Sequence, residues 1–402
     1  MPASQHIHIY AELLPNIRQV SVGCTLPSPA SATTEAAIAT DGRVLTVIHD
    51  GLRQSLRLPG IVASCPRLPI NGLGSSKLSW RLPLAPPLLK TRVAAASEEP
   101  VPWSATDLKQ GSAIVCRRCG STIIAPGVLR VWKDLPSENW AEMMEFWHCH
   151  KPHNHKHSEE DELLMNRGYG ASSRVRAQPG VGFVDLASFL LAESDVLESS
   201  IMASNMSGSH MASNESTDTE PLLSDTLRCS TCKEELGVRN DTSSISLFKW
   251  QILVKEHDHD GPGPSPSLGQ CVCAMLLATM ARSGCSKSIL VPIKVRDSQA
   301  PRKLPGLLHV WVFNANITFS STESSAESIN AAKVFFKMVD QGEADNMLES
   351  MTSRVQDISL PFDAIGAMIE ILNTSSRLVP ESDCKFQQWT VGLLERWNSK
   401  EN

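Results

Sequence analysis

A chain of 402 residues with 42% apolar content carries enough apolar mass for a core, as two or three domains or one large domain with insertions. Its formal net charge of −6 argues against a general nucleic-acid-binding surface, which needs clustered Lys and Arg in excess. The longest dense apolar run, Cys271 to Ala281, has 11 residues, too few to span a bilayer as a helix, and the N-terminus lacks the pattern of a secretory signal, so the expectation is a soluble protein with no membrane partner.

The chain contains 11 cysteines, several in C-x-x-C or C-x-C pairs, which without a secretion signal points to a reducing compartment, cytoplasm or nucleus. From residue 1 to 62, short apolar alternations separated by Pro, Asn and Asp-Gly signals read as antiparallel strands. Residues 63–102 are crowded with proline, which removes backbone donors, and read as an irregular insertion. Residues 103–192 contain a strand-like stretch, GSAIVCRRCGSTIIAPGVLRVWKDLP, with a C-x-x-C turn in its middle.

Next comes a helix expected to be capped by Ser137, with Trp140, Met143, Met144 and Trp147 at i, i+3, i+4 and i+7 on one apolar face. It delivers His148, Cys149 and His150 at its C-terminal end, where the helix dipole gives a thiol no activation. Five histidines fall between His148 and His157, and three readings stay open for that run: a metal site within the chain, a solvated loop, or a hook for a partner.

Residues 193–225, rich in Ser, Asn, Thr and acidic side chains without a sustained period, read as a disordered acidic linker before a C-terminal region, 226–402. In that region Ser244 to Val254 and Leu307 to Ser320 read as strands, and Ala331 to Asp340 leans the same way. Helices are expected at Gln270 to Arg282, where Cys271 and Cys273 would be buried core thiols, and at Asp345 to Ile358. The fold class is therefore α+β, rich in antiparallel strands, with a few packed helices. No metalloprotease, hydrolase, Walker or dinucleotide signature occurs, and HDHDGPGP from His257 reads as a turn.

Two knuckles, CRRCG at Cys116–Gly120 and CSTCKEELG at Cys229–Gly237, carry the clearest chemistry. A C-x-x-C turn points two thiolates at one ion, so Cys116, Cys119, Cys229 and Cys232 would complete a structural zinc site; the alternative is two unrelated cysteine pairs.

The combination of LPSENWAEMMEFWHCHKP, the paired knuckles and the C-terminal CKFQQWTVGLLERW resembles the HECT-like ubiquitin-conjugating enzyme E2-binding proteins, a family also described as ubiquitin ligases. The resemblance implies a cytoplasmic and nuclear protein that binds an E2, accepts ubiquitin and passes it to substrates, cyclin B being one attributed to animal members. For transthiolation the candidate nucleophile is Cys384, although the T-C-F-like loop of true HECT domains is absent around it. The resemblance also implies a second, non-enzymatic role: occlusion of the pre-mRNA cleavage and polyadenylation endonuclease, with Cys149 offered to its zinc and Trp140, Trp147 and His150 framing it.

Overall fold

The computed structural model describes residues 6–86, 101–135, 176–203, 225–256, 263–294, 306–350 and 352–398. The class is α+β with strands dominant. Two compact units divide the chain: one gathers Met1–Glu99, Val272–Pro292 and Lys303–Asn398, and the other centres on Pro100–Cys271. The C-terminal stretch 226–402 thus contributes to both units.

The first unit is organised on a nine-stranded sheet. His8–Leu14 and Gln19–Thr25 form a hairpin whose 3-10 turn, Pro15–Ile17, ends at a left-handed Arg18 (φ 51°). The strand Lys77–Pro83 pairs along Gln19–Thr25, so a regular strand occupies part of the proline-rich stretch expected to be irregular. The reason is placement: its alternation buries Leu78, Trp80 and Leu82, while Pro83 falls at the strand end, where a missing donor is harmless. This face packs against a three-stranded sheet, Glu35–Ile38, Val44–His49 and Leu52–Arg57, with Ile9, Val20, Val22, Leu45 and Val47 fully buried between the layers. Each such side chain contributes about 1.5–3 kcal/mol on burial.

Beyond the hairpin the sheet continues through Leu307–Ser321, Ile329–Val339, Trp389–Glu395 and the short edge strand Lys385–Phe386. Lys287–Pro292 also pairs with Leu307–Ser321 and runs parallel to Val355–Leu360. The helix Phe362–Ser376 packs on one face of this region, burying Ile365, Met368 and Leu372. Its close approach depends on Gly392, where a Cβ would stand 2.8 Å from Leu372 Cδ2.

The helix expected at Asp345 to Ile358 divides differently. Asp340 caps a helix, Gln341–Glu349, by accepting from the Glu343 amide at 2.8 Å, and Val355–Leu360 is a strand. Parallel pairing with Lys287–Pro292 and a left-handed Arg354 (φ 49°) override the weak helical period there. The expected helix at Gln270 to Arg282 spans Leu268–Ser283, and Cys271 and Cys273 are fully buried.

The second unit holds a seven-stranded sheet in the order Ile201–Ala203, Asp225–Cys229, Glu235–Arg239, Ser244–Phe248, Ser188–Ala192, Val181–Val184 and Val131–Asp134. A smaller sheet joins Ile252–Lys255, Ala113–Cys116 and Thr122–Ile124. The first residues of the stretch expected as linker are regular: Glu193–Asp195 is a 3-10 turn, and Ile201–Ala203 pairs with Asp225–Cys229 because a strand edge is available to satisfy its backbone. Lys249 is fully buried in this unit, its ammonium donating to the Pro102 carbonyl and lying 5.4 Å from the centre of the Phe189 ring. Burial lowers its pKa to about 8.

Candidate metal centre

Cys116 and Cys229 are each the last residue of a strand, Ala113–Cys116 and Asp225–Cys229, and each opens a turn of the same construction. In the first, the Gly120 amide donates to the Cys116 carbonyl at 2.8 Å and the Cys116 amide to the Ser121 carbonyl at 2.9 Å. In the second, the Lys233 amide donates to the Cys229 carbonyl and the Cys229 amide to the Glu234 carbonyl, both at 2.9 Å. The residue after the second cysteine is left-handed in both, φ 74° at Gly120 and φ 64° at Lys233. Gly237, which ends the second motif, lies within a strand and not in the turn, and a Cβ there would stand 2.0 Å from the Ser246 carbonyl oxygen.

The two turns face each other. Cys116 Sγ lies 3.6 Å from Cys232 Sγ, Cys119 Sγ lies 3.6 Å from Cys229 Sγ, and all four sulfurs fall within 4.8 Å of one another. Four thiolates at about 2.3 Å around a tetrahedral ion have sulfur–sulfur edges of about 3.8 Å, so the spacing suits one shared cation. It excludes disulfides, whose sulfurs are about 2.05 Å apart. Side chains also join the turns: the Ser121 and Thr231 hydroxyls hydrogen-bond at 3.0 Å, and the exposed Arg118 pairs with Glu234 at 2.6 Å.

Electrostatics divides the thiols. Burial pushes Cys116 up to about 12 and also raises Cys232, whereas the Ser121 hydroxyl, 3.2 Å from Cys119 Sγ, and the Ser121 amide hold Cys119 at about 6. Cys116 and Cys229 are fully buried, and a buried thiolate needs a cation beside it. Four closed sulfur ligands leave no position for substrate, so the chemistry available to this centre is cross-linking of the two turns.

Among the other residues singled out by sequence, Cys384 lies in the first unit, half-buried. Its sulfur sits 3.2 Å from the carbonyl oxygens of Ser376 and Val379 and 3.3 Å from that of Pro380. Burial raises its pKa and the Asp383 and Glu381 carboxylates add to the rise, with a Ser376 hydrogen bond and Lys385 opposing. These surroundings on balance disfavour the thiolate, the form that a transfer nucleophile needs. Trp140, Trp147, Cys149, His150 and the histidine run, together with His257, lie outside the described residues.

The spacing did not point to Lys233 as a turn residue, to Lys249 as a buried ammonium or to His309 as a buried imidazole. For Lys233 the exact repetition of C-x-x-C was the available signal, since a matching turn needs a left-handed residue at the matching place.

The chain matches the HECT-like ubiquitin-conjugating enzyme (E2)-binding family over residues 12–391. It belongs to that family. The match embraces both knuckles and Cys384. An uncharacterized protein of Schizosaccharomyces pombe is 25% identical over 318 residues, covering 77% of this chain and 81% of its own. An uncharacterized protein of Saccharomyces cerevisiae is 22% identical over 293 residues, covering 72% and 71% respectively. No solved structure matches the chain.

Proposed function

We propose that the protein is an E2-binding factor of the ubiquitin system, acting as a cofactor that holds a ubiquitin-charged E2 while ubiquitin passes to a substrate. Family membership over residues 12–391 carries this reading. The surroundings of Cys384 favour the cofactor over a ligase that forms its own thioester, because three carbonyl oxygens and two nearby carboxylates disfavour the thiolate that would attack an E2 thioester. We assign zinc to the four-cysteine centre, since an all-thiolate tetrahedral set selects that ion and closes it to catalysis.

Incubation of the full chain with purified, ubiquitin-charged E2 enzymes tests the reading. The expected result is a stable complex with at least one E2, unchanged by Cys384→Ala, and no thiol-reducible ubiquitin adduct on the protein. A reducible adduct that disappears in Cys384→Ala would replace the cofactor with a thioester-forming ligase. Failure to bind any E2 would sink the reading altogether.

A further inference from the structure

The nine-stranded sheet has one face carrying the helix Phe362–Ser376, marked by Phe336 and Leu372 around Gly392. Its other face presents a different set of residues. Strand register places His309 opposite Lys337, Trp311 opposite Phe335 and Lys287, Phe335 opposite Val391, and Phe386 opposite Trp389, so all of these side chains emerge on one side. Their rings form one continuous array. Phe335 stacks on Phe386 at 5.1 Å, meets Phe313 at 4.7 Å and Trp311 at 5.2 Å, and Trp311 reaches Trp389 at 5.8 Å.

Phe335 and Trp389 are buried, but Phe313 is 56% and Phe386 44% exposed. Two half-exposed phenylalanines that both contact the same buried one make a contiguous apolar patch rather than scattered apolar residues, and aromatic side chains in such settings dominate recognition. Positive charge borders the array: Lys287 Nζ lies 5.0 Å from the Trp311 ring centre and Lys337 Nζ 5.4 Å from that of Trp389. Between the lysines, neither ring nitrogen of the buried His309 meets a hydrogen-bonding partner among the described residues. The Lys337 ammonium is shared with Glu343, whereas no described carboxylate forms an ion pair with Lys287.

We propose that this aromatic face is where the E2 docks, an apolar side chain of the E2 packing on Phe313 and Phe386 while carboxylates beside it meet Lys287 and Lys337. The proposal rests on the E2-binding reading above. It commits to an acidic, apolar-tipped surface because lysines edge the patch and Lys287 forms no ion pair with a described carboxylate, so the carboxylates of an acidic partner are attracted here. Aromatic faces also strengthen the lysine positions through the ring quadrupole, which holds both ammonium groups over the patch.

The test measures binding of the full chain, with its metal, to a panel of purified E2 enzymes by titration calorimetry at two salt concentrations. The double variant Phe313→Ser with Phe386→Ser is expected to weaken binding at least tenfold while the protein stays folded, with only the lowered melting temperature that follows from removing two half-buried rings from Phe335. Lys287→Glu, a surface change that leaves the rings in place, is expected to weaken binding about threefold to tenfold and to flatten its salt dependence. If the double variant fails to fold, Lys287→Glu decides. Wild-type binding to an E2 with the variants within twofold of it overturns the docking surface and leaves the E2-binding reading standing. No binding by the wild type overturns both.

Discussion

Cys116 Sγ and Cys232 Sγ stand 3.6 Å apart although 116 positions separate them in the chain, and Cys119 and Cys229 repeat the relationship at the same distance. Two strand ends are held together at these sulfurs, with one exposed ion pair and one hydroxyl contact beside them. The purified protein should therefore carry about one equivalent of zinc by elemental analysis. Structural zinc supplies roughly 10–16 kcal/mol in small peptides, so Cys116→Ser or chelation should release the metal and lower the first calorimetric melting transition. A metal-free protein with an unchanged melting profile would remove the zinc assignment.

The matching turns make opposite predictions for matching residues. Gly120 has φ 74° with open space where a Cβ would go, so Gly120→Ala should cost about 1 kcal/mol through the backbone alone. Lys233 already pays that strain at φ 64°, so Lys233→Gly should gain up to about 1 kcal/mol, less the loss of its hydrogen bond to the Ser230 carbonyl. Denaturant midpoints measured with metal bound would read both signs.

His309 should make the first unit acid-sensitive. Burial, then the nearby Lys337 and Lys287 charges, lower its pKa from 6.5 to about 4, with Glu343 opposing. The unfolded chain therefore binds a proton that the folded chain refuses between those values. Stability rises with pH across this window and is lost as pH falls from about 6.5 towards 4, by about 3 kcal/mol in all. His309→Leu should flatten that part of the stability profile, measured by urea unfolding from pH 7 to pH 4; a profile as steep as the wild type would count against it.

Two glycines touching the same helix should respond in opposite directions. At Gly392 an added Cβ would meet Leu372 Cδ2 at 2.8 Å and Phe336 at 3.2 Å, so Gly392→Ala should destabilise by about 1–3 kcal/mol. Gly366, inside the helix Phe362–Ser376, has nothing within 4 Å of that position, and Gly366→Ala should stabilise by about 0.5–1 kcal/mol. Thermal melts of the two single variants would separate them.

Much of the fold was legible wherever its cause is local. The strand Leu307–Ser321 and the helix Leu268–Ser283 follow from side-chain period, and each knuckle follows from its own five residues. The helix Phe362–Ser376 is also written in the chain, since Ile365, Met368 and Leu372 fall on one stripe. Val355–Leu360 was not legible, because its strand state depends on a neighbour, Lys287–Pro292, more than 60 positions away.

What the sequence by itself determined is therefore the local chemistry: thiols paired by C-x-x-C turns, strands alternating every second residue, and short motifs that mark an E2-binding family. Only the tertiary structure decided that the two knuckles share one centre, that Cys384 is surrounded by carbonyls, and that Phe313 and Phe386 remain open beside a buried Phe335. The physical reason is that a turn is closed by hydrogen bonds within a few residues, whereas burial and proton affinity depend on whichever distant segments are packed against a group.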